Sequence, residues 1–71
     1  MSNEPFWNKV KGNWKQFKGS VQEQWGELTD DEVDEINGER EQLAGKIQEK
    51  YGVAQAEANE QIDKWAEKTK A

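Results

Sequence analysis

Seventy-one residues make one small domain, with 35% charged residues, a net charge of -5 and a mean hydropathy of -1.26. There is no Cys and no His, which excludes disulfides, a Cys/His zinc site and imidazole acid–base catalysis. The N-terminus MSNEPFWNKVKG has no signal-like apolar run, and no segment approaches the roughly 20 apolar residues of a membrane span, so the expectation is a soluble, cytoplasmic protein without membrane insertion.

Helical signals follow one another along the chain. Asn3 with Pro5 can open a short first helix over 4–10. A second, over 13–25, is marked by Trp14, Phe17, Val21 and Trp25, with Leu28 beyond; their steps of three and four residues fill one narrow stripe. Thr29 followed by Glu32 is a capping-box pattern, and Asp30 and Asp31 suit the positive end of a helix over 30–37. Asn37-Gly38 reads as a stop. Leu43, Ile47 and Tyr51 then continue the stripe of Val33 and Ile36 through a helix over 39–51. Gly26 and Gly52 follow Trp25 and Tyr51 as left-handed C-caps would. The last helix, over 54–69, carries Ala54, Ala58, Ile62, Trp65 and Ala66 on one side. No strand signal exists, so the fold class is all-α: a small bundle of four to five short helices.

The six glycines keep one register. Shifting the chain by 26 residues superposes Gly12, Gly19 and Gly26 on Gly38, Gly45 and Gly52, and matches Phe17, Val21 and Trp25 with Leu43, Ile47 and Tyr51. An internal duplication is the expectation, with copies at about 7–28 and 33–54 before the C-terminal helix. Two αα-hairpins packed across one another would follow, with a plain antiparallel bundle as the competing topology. Arg40 stands where Trp14 stands in the first copy, so the repeat is imperfect. Gly19 and Gly45 fall in mid-helix, about 160° from the apolar stripe at 100° per residue. Three readings stay open for them: a second face approached closely by another backbone, a device that lowers helix stability, or a neutral relic of duplication.

Candidate chemistry is sparse. Eight acids between Glu27 and Glu41, against Arg40 alone, give residues 27–45 a net -7, but the EF-hand spacing is missing and a solvated acidic helix is the preferred reading over a Ca²⁺ or Mg²⁺ site. No hydroxyl residue has a partner base, so no catalytic residue, metal ligand or cofactor is assigned and an enzyme is not expected. The first third is the opposite: Lys9, Lys11, Lys15 and Lys18 interleave with Trp7, Trp14 and Phe17. Such a face can serve single-stranded nucleic acid or a membrane surface. The aromatics belong to the core stripe, however, and the chain's net negative charge opposes a polyanion. The basic face can equally pair with the acidic middle. The candidate binding face is therefore Lys9, Lys11, Lys15, Lys18, Gly19 and Gly45, with nucleic acid disfavoured and a protein partner left open. The Ile36-Asn37-Gly38 turn is the nearest approach to a helix-hairpin-helix phosphate site, and its acidic surroundings oppose that use.

The strings GNWKQFKGSVQEQWGELTDDE and INGEREQLAGKIQEKYG resemble the CsbD-like family of small bacterial stress-response proteins over about residues 10 to 65. The resemblance implies a short helical bundle of crossed hairpins, similar to the sterile-alpha-motif class, made in a bacterial cytoplasm under general or osmotic stress. It implies no activity, ligand or catalytic residue.

Overall fold

The computed structural model describes residues 4–70, which form five helices: α1 (Glu4–Gly12), α2 (Trp14–Gln24), α3 (Asp30–Ile36), α4 (Arg40–Tyr51) and α5 (Gln55–Lys70). Among the described residues there is no strand, so the all-helical class holds. Each helix packs chiefly on the next in the chain, and the expected Asn3 cap lies outside the described residues.

Helix ends follow local chemistry. α1 and α2 are separated by Asn13 alone, at φ -127° and ψ 38°. Its backbone N–H and its side-chain Nδ2 both donate to Lys9 O, at 3.0 and 3.1 Å, closing the end of α1. α3 starts with the full capping box: Thr29 Oγ1 accepts from Glu32 N at 3.2 Å and Glu32 Oε1 accepts from Thr29 N at 2.9 Å. It stops because Asn37 and then Gly38 take left-handed φ of 53° and 77°. α4 ends on Gly52 at φ 66°, whose N–H donates to Gln48 O. Gly26 departs from the expected left-handed cap: its φ is not positive, and α2 ends instead on Trp25 at φ -125°, ψ 82°. The extended residue ends the helix while its side chain is buried, and its N–H still reaches Val21 O at 2.8 Å.

The apolar stripes meet in one core. Trp7, Val10, Trp14, Val21, Trp25 and Leu28 are buried from the first third; Val33, Ile36, Leu43, Ala44 and Ile47 from the middle; and Ala58, Ile62, Trp65 and Ala66 from α5. Phe6, Phe17 and Val53 cover its edge. Two expected members leave the stripe. Ala54 precedes α5 and is exposed. Tyr51 is 38% exposed because its hydroxyl turns to accept from Glu27 N at 3.0 Å, fastening the turn after α2 to the end of α4.

Four tryptophans are the largest side chains of the core, in a chain too short for a deep aliphatic interior. Trp65 is the hub, with ring centroids 5.9 Å from Trp7, 6.1 Å from Phe6 and Trp25, and 6.3 Å from Phe17. Three indole N–H groups are satisfied across the fold: Trp14 to Val33 O, Trp25 to Gln61 Oε1 and Trp65 to Ser20 Oγ, each at 2.9 Å. Trp7 Nε1 is buried without an acceptor among the described residues, and its ring lies 5.9 Å from the Arg40 guanidinium carbon.

Candidate functional site

The four lysines of the basic face divide into two kinds. Lys11 pairs with Glu39 at 3.3 Å and Lys18 with Asp34, so both reach the acidic middle within one molecule. The Asp34 carboxylate raises the Lys18 pKa above the usual ammonium value, chiefly through the hydrogen bond. Lys9 and Lys15 are exposed and make no ion pair among the described residues. The aromatics interleaved with these lysines are not free to stack on bases: Trp7 and Trp14 are buried, and Phe17 is half-buried against Phe6 and Trp65.

Gly19 and Gly45 are exposed, and a Cβ built on either would meet nothing within 4 Å. Close backbone approach within the fold is therefore removed as the reason for glycine at these two positions. It is Gly38 that meets a backbone: a Cβ there would sit 2.7 Å from Lys11 Cα. The same contact disposes of the helix-hairpin-helix reading. Gly38 is buried against Lys11 of α1, so the glycine of the turn faces protein, not a phosphate.

The acidic segment is a gripped helix. Glu32 accepts from Thr29 N and pairs with Lys50 at 3.0 Å; together, the backbone bond first, they hold its carboxyl below the usual range. Lys46 pairs with Glu35 at 3.0 Å, and that bond raises the Lys46 pKa. Among the described residues no group of three or more carboxylates is placed to hold a metal ion, and no helix is long and apolar enough to cross a membrane.

Sequence reasoning missed one concavity, a groove of about 440 Å³ along α4 and α5, lined by Arg40, Glu41, Ala44, Gln48, Gln55 and Asn59. Arg40 spans it, donating through Nη2 to Asp63 Oδ1 at 2.8 Å and Asn59 O at 3.4 Å. The only hint in the sequence was Arg40 standing at the repeat position of Trp14. The groove offers the amides of Gln48, Gln55 and Asn59, the Glu41 carboxylate and one neutralised guanidinium, with no hydroxyl, thiol or amine nucleophile in its lining.

A family model described as CsbD-like matches residues 8–60. The chain belongs to the CsbD-like family. A UPF0337 protein of Rhodopseudomonas palustris is 58% identical over 59 residues, covering 83% of this chain and 89% of that one. One from Agrobacterium fabrum is 64% identical over 59 residues, covering 83% and 88%. The UPF0337 protein YjbJ of Escherichia coli K12 is 52% identical over 58 residues, covering 82% and 84%. No solved structure matches. These CsbD-like relatives carry names that state no activity, so the matches give this geometry a family and leave its chemistry to be argued from the residues.

Proposed function

We propose that this protein is a non-enzymatic stress-response protein: a soluble cytoplasmic helical domain of low stability that accumulates under general or osmotic stress. Excluded solutes strengthen apolar burial, so such a domain gains order as water becomes scarce. The observation that carries the reading is the open space around Gly19 and Gly45. The fold does not require glycine at either place, yet each costs about 1 kcal/mol relative to Ala in a helix interior. The chain thus stands below the stability that its own architecture would allow. The same reading takes residues 1–71 as one domain built by duplication, its two helix pairs crossed as in the sterile-alpha-motif class.

Thermal melts test it. The protein is expected to melt below about 65 °C in dilute buffer, and sucrose is expected to raise the midpoint. Gly19→Ala and Gly45→Ala are each expected to stabilise by about 0.5–1 kcal/mol. A melting point well above that range removes low stability from the reading. Destabilisation by either alanine would mean that another chain covers the glycine face.

A second reading rests on Lys9 and Lys15, the exposed lysines of the basic face without an acidic partner among the described residues. With Gly19 beside them they can contact nucleic acid or a protein partner; Lys11, Lys18 and Gly45 would contribute less, two being paired and the last lying on α4. Amide NMR spectra with a short oligonucleotide decide it. Salt-reversible shifts over residues 7–18 that vanish in Lys9→Glu/Lys15→Glu support binding. Unmoved signals remove nucleic acid.

A further inference from the structure

α3 is seven residues long, and five of them are acidic: Asp30, Asp31, Glu32, Asp34 and Glu35. A helix of two turns has little stability alone, and like charges on adjacent turns reduce it further. Its position must come from what holds it. One hold is apolar: Val33 and Ile36 are fully buried, and Trp14 Nε1 donates to Val33 O. The other is polar and comes from both flanks. From α2, Lys18 reaches Asp34, and Gln22 Nε2 donates to Asp30 at 3.0 Å. From α4, Lys46 reaches Glu35 and Lys50 reaches Glu32. Asp31 makes no ion pair among the described residues and adds its charge to the field around Lys18, and Glu49 adds a further negative charge near Lys46. Two of the paired carboxylates sit in solvent, the side chains of Asp34 and Glu35 being 59% and 69% exposed, whereas that of Glu32 is 20% exposed.

The rest of the fold is tied together without α3. Trp65 to Ser20, Trp25 to Gln61 and Lys68 to Gln24 join α5 directly to α2 and its end. Arg40 joins α4 to α5 through Asp63 and Asn59, and Tyr51 holds the turn after α2. Lifting α3 therefore breaks the four polar contacts from its flanks and one indole bond while these other ties stay made.

We propose that α3 is an ionic strap: the lysines of α2 and α4 hold it down in dilute solution, and rising salt releases it as a local unit while α4 and α5 stay folded. Screening is the physical cause. The Debye length falls from about 30 Å at 0.01 M salt to about 3 Å at 1 M. The pairs that hold α3 to its neighbours weaken with it, while the repulsion that weakens at the same time acts within α3 and bears on its helicity, not on its attachment. Neutral osmolytes act in the opposite direction, because they strengthen the burial of Val33 and Ile36 without screening any charge. The fold then distinguishes ionic from non-ionic concentration of its surroundings. The strap rests on the placement of α3 alone and stands whether or not the stress reading holds.

Residue-resolved amide hydrogen exchange on the full chain tests the strap, in a NaCl series and in a parallel sucrose series. Protection of the Val33 and Ile36 amides and of the Trp14 indole N–H is expected to fall on the order of tenfold between low and molar NaCl. The Ile47 and Ile62 amides are expected to change by less than about twofold, and sucrose to increase α3 protection. Lys46→Gln/Lys50→Gln is expected to expose α3 already in dilute buffer and to flatten its salt response. Loss of α3 and α4–α5 protection in parallel, in either protein, overturns the strap, since α3 would then have no separate opening. So does α3 protection that ignores salt.

Discussion

Trp65→Ala is expected to cost about 3–5 kcal/mol, the range for truncating a large buried aromatic. A chain of this length has a total stability of roughly 4–11 kcal/mol at 0.05–0.15 kcal/mol per residue, so the change removes much or all of it. Trp65 is 1% exposed, and its ring faces Phe6, Trp7, Phe17 and Trp25. Truncation leaves a cavity bordered by four rings from α1, α2 and the end of α2, and these cannot all close inward on one point. It also removes the donor to Ser20 Oγ, one of the direct ties between α5 and α2. Trp65→Phe keeps a ring and loses that donor, and is expected to fall between the two. Urea denaturation read by far-ultraviolet circular dichroism checks the ranking. A cooperative Trp65→Ala transition within about 1 kcal/mol of the parent protein would show that the rings hold the helices together without their hub.

Much of this fold is legible in the amino-acid sequence, and the reason is local. Thr29 and Glu32 close a box across three residues, Asn37-Gly38 and Gly52 end helices through their own φ, and Val33, Ile36, Leu43 and Ile47 are buried in the stripe their spacing defines. What escapes the sequence is the meeting of distant parts. Nothing in the spacing says that Trp65 takes rings from as far away as Phe6, or that the Tyr51 hydroxyl fastens Glu27 and so leaves the stripe. Gly26 looked like Gly52 on local grounds, and burial of Trp25 gave that helix end a different backbone. The basic face was visible as a run of lysines, but its division into paired Lys11 and Lys18 and unpaired Lys9 and Lys15 depends on where Glu39 and Asp34 come to lie. The groove beside Arg40 exists only once α4 and α5 are placed side by side.

The glycines separate in the same way, and Gly38 is where the separation has its largest effect. Three of the four glycines at helix ends could take a Cβ without meeting any atom within 4 Å; Gly38 could not. Gly38→Ala carries two penalties. The first is conformational: at φ 77° an L-side chain is strained, by about 1–2 kcal/mol. The second is steric, because the new Cβ would lie 2.7 Å from Lys11 Cα and 3.2 Å from Lys11 N. Those are backbone atoms of α1, so no rotamer change relieves the contact; α1 itself would have to move away, loosening Trp7 and Val10 in the core. Gly52→Ala isolates the first penalty, since Gly52 has φ 66° and open space around it. Gly52→Ala is expected to cost about 1–2 kcal/mol, and Gly38→Ala about 2–4 kcal/mol, as strain plus overpacking. Urea midpoints of the two variants measure the difference directly. Equal losses would mean that α1 yields at no cost, and that the seat of α1 on the α3–α4 turn contributes nothing to holding the N-terminal helix in place.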